Sequence, residues 1–272
     1  MKIIELKCSG CGAQITPDFE KGTGECEYCG TQIIFENKGV LKKILAGAGK
    51  KASGNDEEHN GLPKAPAPKY TPWCDSGLKD HVMDWKDRVL EAAMREVTGI
   101  KDRDIMLSDV FKLTRLQLNE KGIEKVEALN ELVNLESLVL ENNSISDISG
   151  LTALENLTFL NLYKNNVTDI GGIAHMPLLK DVRLDYNRVS DLTPLANLKY
   201  VERLYVYMNR VTDVSPLANL VSLKDLRIDF NPIRDVSPLV GLKYLESLNI
   251  QQTDIEDLSP LLELKNLKNL HR

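Results

Sequence analysis

The sequence is poor in the residues and motifs that carry most enzyme chemistry. It has four histidines, His59, His81, His175 and His271, which fall in four segments of different character. Neither the P-loop pattern G-x-x-x-x-G-K-[ST] nor the dinucleotide pattern G-x-G-x-x-G occurs. Because covalent catalysis needs a base beside a nucleophile, we expect that the protein is not an enzyme.

Long apolar runs are also missing. No stretch approaches the roughly 18 apolar residues that a membrane span requires. Lys2, Glu5 and Lys7 interrupt the apolar segment that a signal peptide needs. We therefore expect a cytoplasmic protein, in which the five cysteines serve as thiols or metal ligands rather than as a disulfide framework.

Arginine is absent before Arg88, and the chain as a whole is acidic. Lys and Arg number 34 against 40 Asp and Glu, which gives a formal net charge of −6. Binding to phosphate backbones depends on clustered cations, so this balance disfavours general nucleic-acid binding.

In place of a catalytic motif, the sequence has a repeat of 22 residues that runs from about Leu113 to the C-terminus. Each copy reads apolar, two variable, apolar, one variable, apolar, two variable, usually Asn, one variable, then Ile or Val. The segment Leu135–Ile145 (LESLVLENNSI) is an example. A fixed period of this kind is typical of a solenoid of stacked coils. The copies begin at Leu113, Leu135, Leu157, Leu179, Val201, Leu223, Leu245 and Leu267.

Two polar residues recur with the same period, and we interpret both as structural. An asparagine at the end of each strand satisfies backbone groups of the turn. An aspartate four residues later is typical of turn and cap chemistry. Lys121 replaces the asparagine in the first copy and Thr253 in the last full copy. The asparagines are Asn143, Asn165, Asn187, Asn209 and Asn231, and the aspartates are Asp147, Asp169, Asp191, Asp213, Asp235 and Asp257.

Residues 78–112 are predicted to form a helical cap on the open end of the solenoid. Apolar residues at helical spacing predict a first helix from about Leu78 to Thr98, which Gly99 would end. A second short helix is predicted near Ser108. Terminal coils need such covers because their apolar side is otherwise open. The apolar positions of the first helix are Val82, Trp85, Val89, Ala93 and Val97.

The repeats at 113–272 resemble the 22-residue repeats of internalin-type leucine-rich-repeat proteins, as in Asn209–Leu217 (NRVTDVSPL). The segment before them resembles the helical cap of the same proteins. This resemblance implies a leucine-rich-repeat solenoid, with a parallel β ladder, short convex turns and an N-terminal helical cap. It also implies protein recognition on the concave face.

Four cysteines near the N-terminus form two C-x-x-C pairs, Cys8 with Cys11 and Cys26 with Cys29. Two such turns complete a tetrahedral zinc site. The segment resembles a zinc ribbon, which implies a small β domain over residues 1–36 that is closed by one structural Zn²⁺. All four ligand positions are cysteine, so no position is open for catalysis. A pair of redox C-x-x-C motifs is the alternative.

Residues 37–77 are interpreted as a linker. In Lys38–Lys51 the apolar residues share one helical face, with lysines and no acid around them. This pattern fits a short helix on an anionic membrane surface, or a fraying helix packed on the ribbon. The stretch Ala52–Pro72 is rich in Gly, Ser, Asn and Pro and is predicted to be flexible, then extended.

The central repeats carry aromatic and charged residues at the strand positions that alternate away from the core. Six of the thirteen Phe and Tyr residues fall there. Aromatic residues and arginine dominate the binding energy of protein interfaces, although tyrosine also suits exposed strands in general. We therefore predict an exposed protein-binding patch that comprises Phe159, Tyr163, Arg183, Asp185, Tyr186, Arg203, Tyr205, Tyr207, Arg227, Asp229 and Phe230, with Asp181, Met208 and Asp225 among them.

Together these patterns indicate a non-enzymatic cytoplasmic adaptor or scaffold. Its repeats bind a protein ligand, and its zinc ribbon docks a second partner. One alternative is a nucleic-acid-associated factor whose ribbon contacts DNA or RNA, although the ribbon has only three cations, Lys2, Lys7 and Lys21. Another is a membrane-surface scaffold that uses Lys38–Lys51.

Overall fold

The computed structural model describes residues 62–272 and, before them, the backbone of four short strands. By their contacts the residues divide into two units, Met1–Asn60 with Thr71–Asp80 and Gly61–Tyr70 with His81–Arg272. A short 3-10 helix, Trp73–Asp75, belongs to the first unit. The four strands are β1 (Leu6–Lys7), β2 (Gln14–Ile15), β3 (Thr23–Glu25) and β4 (Gln32–Ile34).

The four strands of the first unit pair as two antiparallel hairpins, β1 with β2 and β3 with β4. In the sequence, Cys8 and Cys11 fall between the strands of the first hairpin, and Cys26 and Cys29 between those of the second. The cysteines themselves lie outside the described residues, as does the basic stretch Lys38–Lys51.

Part of the segment predicted to be a linker contacts the repeats. The Lys69 N–H donates to the side-chain oxygen of Asn156 at 2.7 Å, and the Asn156 amide donates back to the Lys69 carbonyl at 3.0 Å. This reciprocal pair holds the stretch before Thr71 on the solenoid, a contact that the predicted flexible and then extended linker did not include.

The cap of the second unit contains two helices, α1 (Arg88–Thr98) and α2 (Leu107–Val110). The first begins ten residues later than the apolar spacing predicted, because Asp87 acts as its N-cap. One Asp87 oxygen accepts the Val89 and Leu90 N–H groups, at 2.7 and 3.2 Å. Gly99 ends the helix with φ of 73°, as predicted.

The buried face agrees with the predicted one only in part, since Trp85 and Ala93 are buried as predicted. Leu90, Ala93 and Met94 are buried, whereas Val89 and Val97 are exposed. Val82, which was assigned to the helix, is instead exposed in an antiparallel bridge to Met106. Residues 83–87, between the bridge and the helix, are not helical, and apolar spacing does not reveal where the helix begins.

Asp87 also ties the cap to the first coil. Its second carboxylate oxygen accepts the N–H groups of Glu124 and Lys125, at 2.8 and 3.0 Å. These bonds hold the pKa of the carboxyl below its usual value although partial burial opposes them. The cap and the solenoid therefore share one hydrogen-bonded residue.

The repeats form one sheet of eight parallel strands, each beside its neighbours in sequence. Pairing joins residues 22 apart, as in Phe159 with Asp181 and Asp181 with Arg203. This register confirms the predicted parallel solenoid. The strands are β5 (Arg115–Gln117), β6 (Ser137–Val139), β7 (Phe159–Asn161), β8 (Asp181–Arg183), β9 (Arg203–Tyr205), β10 (Asp225–Arg227), β11 (Ser247–Asn249) and β12 (Asn269–His271).

The apolar positions of each copy form a continuous core. In the third coil, Leu160, Leu162 and Val167 are fully buried, and burial of each such side chain contributes about 2 kcal/mol. Short 3-10 helices return the chain between strands, over Glu127–Glu131, Gly171–His175, Thr193–Leu195, Ser215–Asn219, Ser237–Gly241 and Ser259–Glu263. Among the described residues, no helix has the length and apolar character needed to cross a membrane.

The recurring asparagines form a ladder inside the turns, as predicted. The side-chain oxygen of Asn165 accepts the Ile145 N–H of the preceding coil at 3.0 Å. Its amide nitrogen donates to the carbonyls of Leu140 and Leu162, at 2.9 and 3.1 Å. Each asparagine thus satisfies buried backbone groups of two successive coils.

The recurring aspartates cap the turns, also as predicted. The Asp191 carboxylate accepts the Thr193 N–H at 2.8 Å, and Asp213 accepts that of Ser215 at the same distance. These aspartates therefore lie on the turn side of the solenoid, away from its strands.

Replacement of Asn165 by alanine should reduce stability strongly, because it leaves buried backbone groups without partners. We expect the free energy of unfolding to fall by about 2 kcal/mol or more. The neighbouring Asn166→Ala is the control, since no side-chain hydrogen bond is present at Asn166 in the described part of the chain. Urea unfolding followed by circular dichroism would measure both, and equal losses would contradict the role of the ladder.

Candidate functional site

The side of sheet β5–β12 that is turned away from the leucine core is called the strand face. In each coil, the side chains at positions three and five lie on the strand and those at positions seven and eight follow it. All four project towards this face, and the 22-residue register aligns them into four rows. In coils three to six the rows are, in order, Phe159, Asp181, Arg203 and Asp225; Asn161, Arg183, Tyr205 and Arg227; Tyr163, Asp185, Tyr207 and Asp229; and Lys164, Tyr186, Met208 and Phe230.

Asp181 organises one end of this arrangement. Its side chain is 6% exposed, and it accepts the Nε–H groups of Arg183 at 3.2 Å and of Arg203 at 2.8 Å. With a third bond, from Arg183 Nη2, the buried carboxylate is stable in this environment, because the two arginines replace the water that it loses. The bond to Asp181 in turn raises the pKa of the Arg203 guanidinium, which stays charged.

Tyr205 lies between two arginines of the second row. The Arg183 guanidinium is 5.6 Å from the Tyr205 ring centre and 5.3 Å from that of Phe159. On the other side, Arg227 lies 5.8 Å from Tyr205 and 4.1 Å from Tyr207. These distances are those of cation–π contacts, so each guanidinium is in contact with two aromatic rings.

The Tyr205 hydroxyl is also fixed. It donates to Asp225 Oδ2 at 2.6 Å. Burial, together with this bond to a carboxylate, raises the pKa of Tyr205 to about 12, so the hydroxyl remains a donor at every physiological pH.

Three tyrosines from successive coils pack edge to face. The Tyr163 and Tyr186 ring centres are 5.4 Å apart, and those of Tyr186 and Tyr207 are 5.1 Å apart, with interplanar angles of 82° and 77°. Aromatic pairs prefer this geometry. The tyrosines therefore form one supported cluster rather than three independent side chains.

Two further carboxylates lie beneath this cluster. Asp185 is 3% exposed and Asp229 2%. Asp185 accepts the Tyr207 N–H at 3.2 Å, and Arg227 donates to Asp229 Oδ2 at 3.2 Å. Within the described part of the chain, Asp229 Oδ1 and Arg227 Nε are buried without a hydrogen-bond partner.

Burial raises the pKa of Asp185 to about 7. The Tyr207 N–H and the positive charge of Arg227 lower it in part, while the negative charge of Asp229 raises it further. Tyr207, which is partly buried and lies near Asp185, has a pKa of about 12. The strand face thus contains an aspartate that changes its charge near neutral pH.

The structure brings all eleven residues of the predicted patch to one face of coils three to six. Their exposure, however, differs from the prediction. Tyr163 and Tyr205 are half-buried rather than freely exposed, and the Asp185 and Asp229 side chains lie below the surface. The reason is that aromatic rings and arginines from adjacent coils, only about 4.8 Å apart, cover one another and the acids between them.

The fourth row has a backbone feature that the sequence does not signal. Tyr186, Met208 and Phe230 have φ of 53°, 55° and 52°, in the left-handed region that bulky residues rarely adopt. Their side chains are 38%, 39% and 47% exposed. The turn after each strand imposes this conformation, so three large apolar side chains line one edge of the face. No glycine marks the position, and sequence reasoning therefore missed it.

Among residues 62–272, no group of three or more His, Cys, Asp or Glu side chains is arranged to hold a metal ion. The proposed zinc ligands lie outside that range and are not affected by this finding. The strand face itself offers recognition chemistry, with rings, guanidinium groups and fixed hydroxyls.

A family model for leucine-rich repeats, in two copies, matches residues 155–197, which lie within the coils that carry the strand face. Internalin C2 of Listeria monocytogenes is 30% identical, and the match covers 68% of this chain and 93% of that chain with a TM-score of 0.55. The chain belongs to the leucine-rich-repeat family, with repeats of the internalin type. No curated protein matches it significantly.

A leucine-rich-repeat protein from Leptospira interrogans shares the fold at 23% identity and a TM-score of 0.51, over 61% of this chain and 50% of that one. Leucine-rich-repeat domains generally bind proteins, and membership of this family is consistent with that general role. The feature particular to this chain is the contact between arginines and aromatic rings on its strand face.

Asp185 should make stability depend on pH. An aspartate in the unfolded chain has a pKa near 3.9, whereas in the folded chain the value is about 7. The folded state therefore binds the proton more tightly, and the wild type should lose stability as pH rises towards 7. Asp185→Asn keeps an acceptor for the Tyr207 N–H and does not titrate. The free energy of unfolding of this variant, relative to that of the wild type, should rise by up to about 1.4 kcal/mol per pH unit between pH 5 and 7.

Urea unfolding at pH 5, 6, 7 and 8 would measure this difference. Asp191→Asn is the control in the same coil, because hydrogen bonds from Thr193 lower the pKa of Asp191 and keep it charged over this range. The difference in free energy of unfolding between this control and the wild type should stay constant over this pH range. Parallel curves for wild type and Asp185→Asn would show that Asp185 does not titrate as described.

Proposed function

We propose that this chain is a non-enzymatic adaptor that binds a protein ligand on the concave strand face of coils three to six. The observation that carries the proposal is the fixed cluster of Tyr205, Arg183 and Arg227, with rings and guanidinium groups in mutual contact. Aromatic residues and arginine supply most of the energy at protein interfaces. Rigid side chains lose little conformational entropy on binding, so they bind more tightly than flexible ones.

The exposed edge of the same face supports a protein as the ligand. Tyr186, Met208 and Phe230 present large apolar surfaces in three successive coils, whereas monomeric proteins seldom expose such patches without a partner. Four strands at about 4.8 Å span roughly 15 Å, and the neighbouring coils extend the face on both sides. That length fits a peptide segment or a protein edge better than a small metabolite.

We further propose that residues 1–36 form a zinc ribbon that docks a second partner. Two observations support it, the sequence spacing of the four cysteines and the antiparallel hairpins that flank each pair. Thiolate ligands fit a reducing compartment, which is the basis for a cytoplasmic setting. A structural zinc would stabilise this small unit, because a core of so few residues is otherwise marginal.

Loss of the apolar edge should weaken ligand binding strongly without unfolding the solenoid. The double variant Met208→Ala, Phe230→Ala removes two exposed side chains that make no ring contact or side-chain hydrogen bond in the described residues. Alanine retains the Cβ atom at both left-handed positions, so stability should change by less than about 1 kcal/mol. We expect affinity for the ligand to fall at least tenfold, in the range of interface hot spots.

The measurement is a nuclease-treated affinity capture with the full chain, followed by mass spectrometry. The matched control is Val221→Ala, Val240→Ala, because these valines are 41% and 43% exposed but lie in or just after the 3-10 turns, outside the four rows of the strand face. A protein recovered by the wild type and the control, and lost with the edge variant, is the expected result. Equal recovery by all three chains would refute binding at the strand face.

The zinc proposal has a separate test. The purified full chain should contain about one zinc ion, because four cysteines complete one tetrahedral site. Cys11→Ser should lose most of that zinc, whereas Cys74→Ser, which changes the one cysteine outside the two pairs, should retain it. Elemental analysis by mass spectrometry gives the ratio. Zinc-free wild type, purified without chelators, would contradict the ribbon.

A further inference from the structure

The charges that reach solvent on the strand face are mainly positive. The side chains of Arg183, Arg203 and Arg227 are 38%, 51% and 36% exposed. Their acidic partners Asp181 and Asp229 are 6% and 2% exposed. Asp225, which accepts the Tyr205 hydroxyl, is half-buried. A ligand on this face therefore meets mainly guanidinium groups, although the formal charges of the four rows balance.

The acidic residues of the repeats are concentrated elsewhere. One aspartate per coil, such as Asp191 and Asp213, caps the 3-10 turn with its carboxylate and lies on the turn side. On the strand face, Lys164 is also exposed beside Tyr163, at 5.8 Å from the ring centre. The net negative charge of the chain thus does not describe the strand face.

The arginines have hydrogen-bonding capacity to spare. The Arg203 guanidinium uses its Nε–H for Asp181, and Arg183 uses Nε and Nη2 for the same residue. In the described part of the chain, the remaining Nη groups of both side chains make no hydrogen bond. Guanidinium groups with free N–H donors bind carboxylates in strong, charge-assisted pairs.

The spacing of these donors suits an extended chain. Arg183 and Arg227 occupy strands two apart, which corresponds to roughly 10 Å. In a polyproline-II segment, residues three apart lie on the same side of the chain and are separated by about 9 Å. A peptide that runs along the solenoid axis can therefore place two acidic side chains on these two arginines, with Tyr205 beneath the residues between them.

We propose that the ligand of the strand face is an extended acidic segment of a protein, whose Asp or Glu side chains, three residues apart, bind the exposed guanidinium groups of Arg183, Arg203 and Arg227. This inference rests on the proposed function and names the chemistry of its partner. The aromatic rings contribute contact area, and the buried aspartates hold the arginines in position.

The test is a selection of random ten-residue peptides, displayed on phage, with the immobilised full chain as the target. Each enriched peptide is then measured against the wild type, the edge variant Met208→Ala, Phe230→Ala, and the single variants Arg183→Gln and Arg203→Gln. We expect both single variants to fold, because in each of them the other arginine still pairs with Asp181. The charge-matched control is Arg210→Gln. It removes an exposed arginine that lies in the same coil as Arg203 but outside the four rows of the strand face.

We expect the peptides that need the edge residues to be rich in Asp and Glu with a spacing of three. Arg183→Gln and Arg203→Gln should each weaken them at least fivefold, and Arg210→Gln should leave them unchanged. Edge-dependent peptides rich in Lys or Arg, or without acidic residues, would overturn the acidic ligand and leave the proposed function intact. If no enriched peptide depends on the edge residues, both the proposed binding at the strand face and the acidic ligand are refuted.

A single-stranded oligonucleotide provides the last comparison, because phosphate also binds arginine. Tighter binding of a twenty-residue oligothymidylate than of the acidic peptides, lost in Arg203→Gln, would assign the guanidinium groups to a nucleic acid and overturn the proposal.

Discussion

The amide of one asparagine per coil is the interaction on which the rest of the solenoid depends. The Asn165 side chain accepts an N–H group of the coil before it and donates to carbonyl groups of that coil and of its own. The asparagines of the following coils do the same. The turn that ends each strand has backbone groups buried away from water, and an unpaired group there costs about 1 to 3 kcal/mol. The ladder removes that cost in every coil and fixes the shape of the turn.

A turn of constant shape has consequences for the surface. It holds the strands in a register of 22 residues, so that Arg183, Tyr205 and Arg227 stand directly beside one another. It also forces the residue before the asparagine into a left-handed conformation, which projects Tyr186, Met208 and Phe230 outward. The strand face is therefore a direct product of the turn geometry, with little freedom for individual side chains.

That rigidity explains how charges of both signs coexist on one small face. Asp181, Asp185 and Asp229 would each be costly to bury alone. Two of them are paired with arginines, and Asp185, which has the weakest support, shifts its pKa to about 7 instead. The arginines in turn rest on Phe159, Tyr205 and Tyr207. The result is a surface whose exposed groups are positioned before any ligand arrives, which favours tight and selective binding.

The sequence by itself determined the solenoid, since a 22-residue period allows only one alignment of apolar positions and turn residues. It also determined that positions three, five and seven share the strand face, because strand alternation is local; the left-handed turn adds position eight. The tertiary structure alone decided the depth of each side chain, since Tyr205 is covered by arginines from adjacent coils and Asp229 lies beneath them. It likewise decided where α1 begins, because the Asp87 carboxylate bonds to both the helix and the first coil. Contacts between residues distant in sequence set burial and helix phase, and periodicity does not encode them.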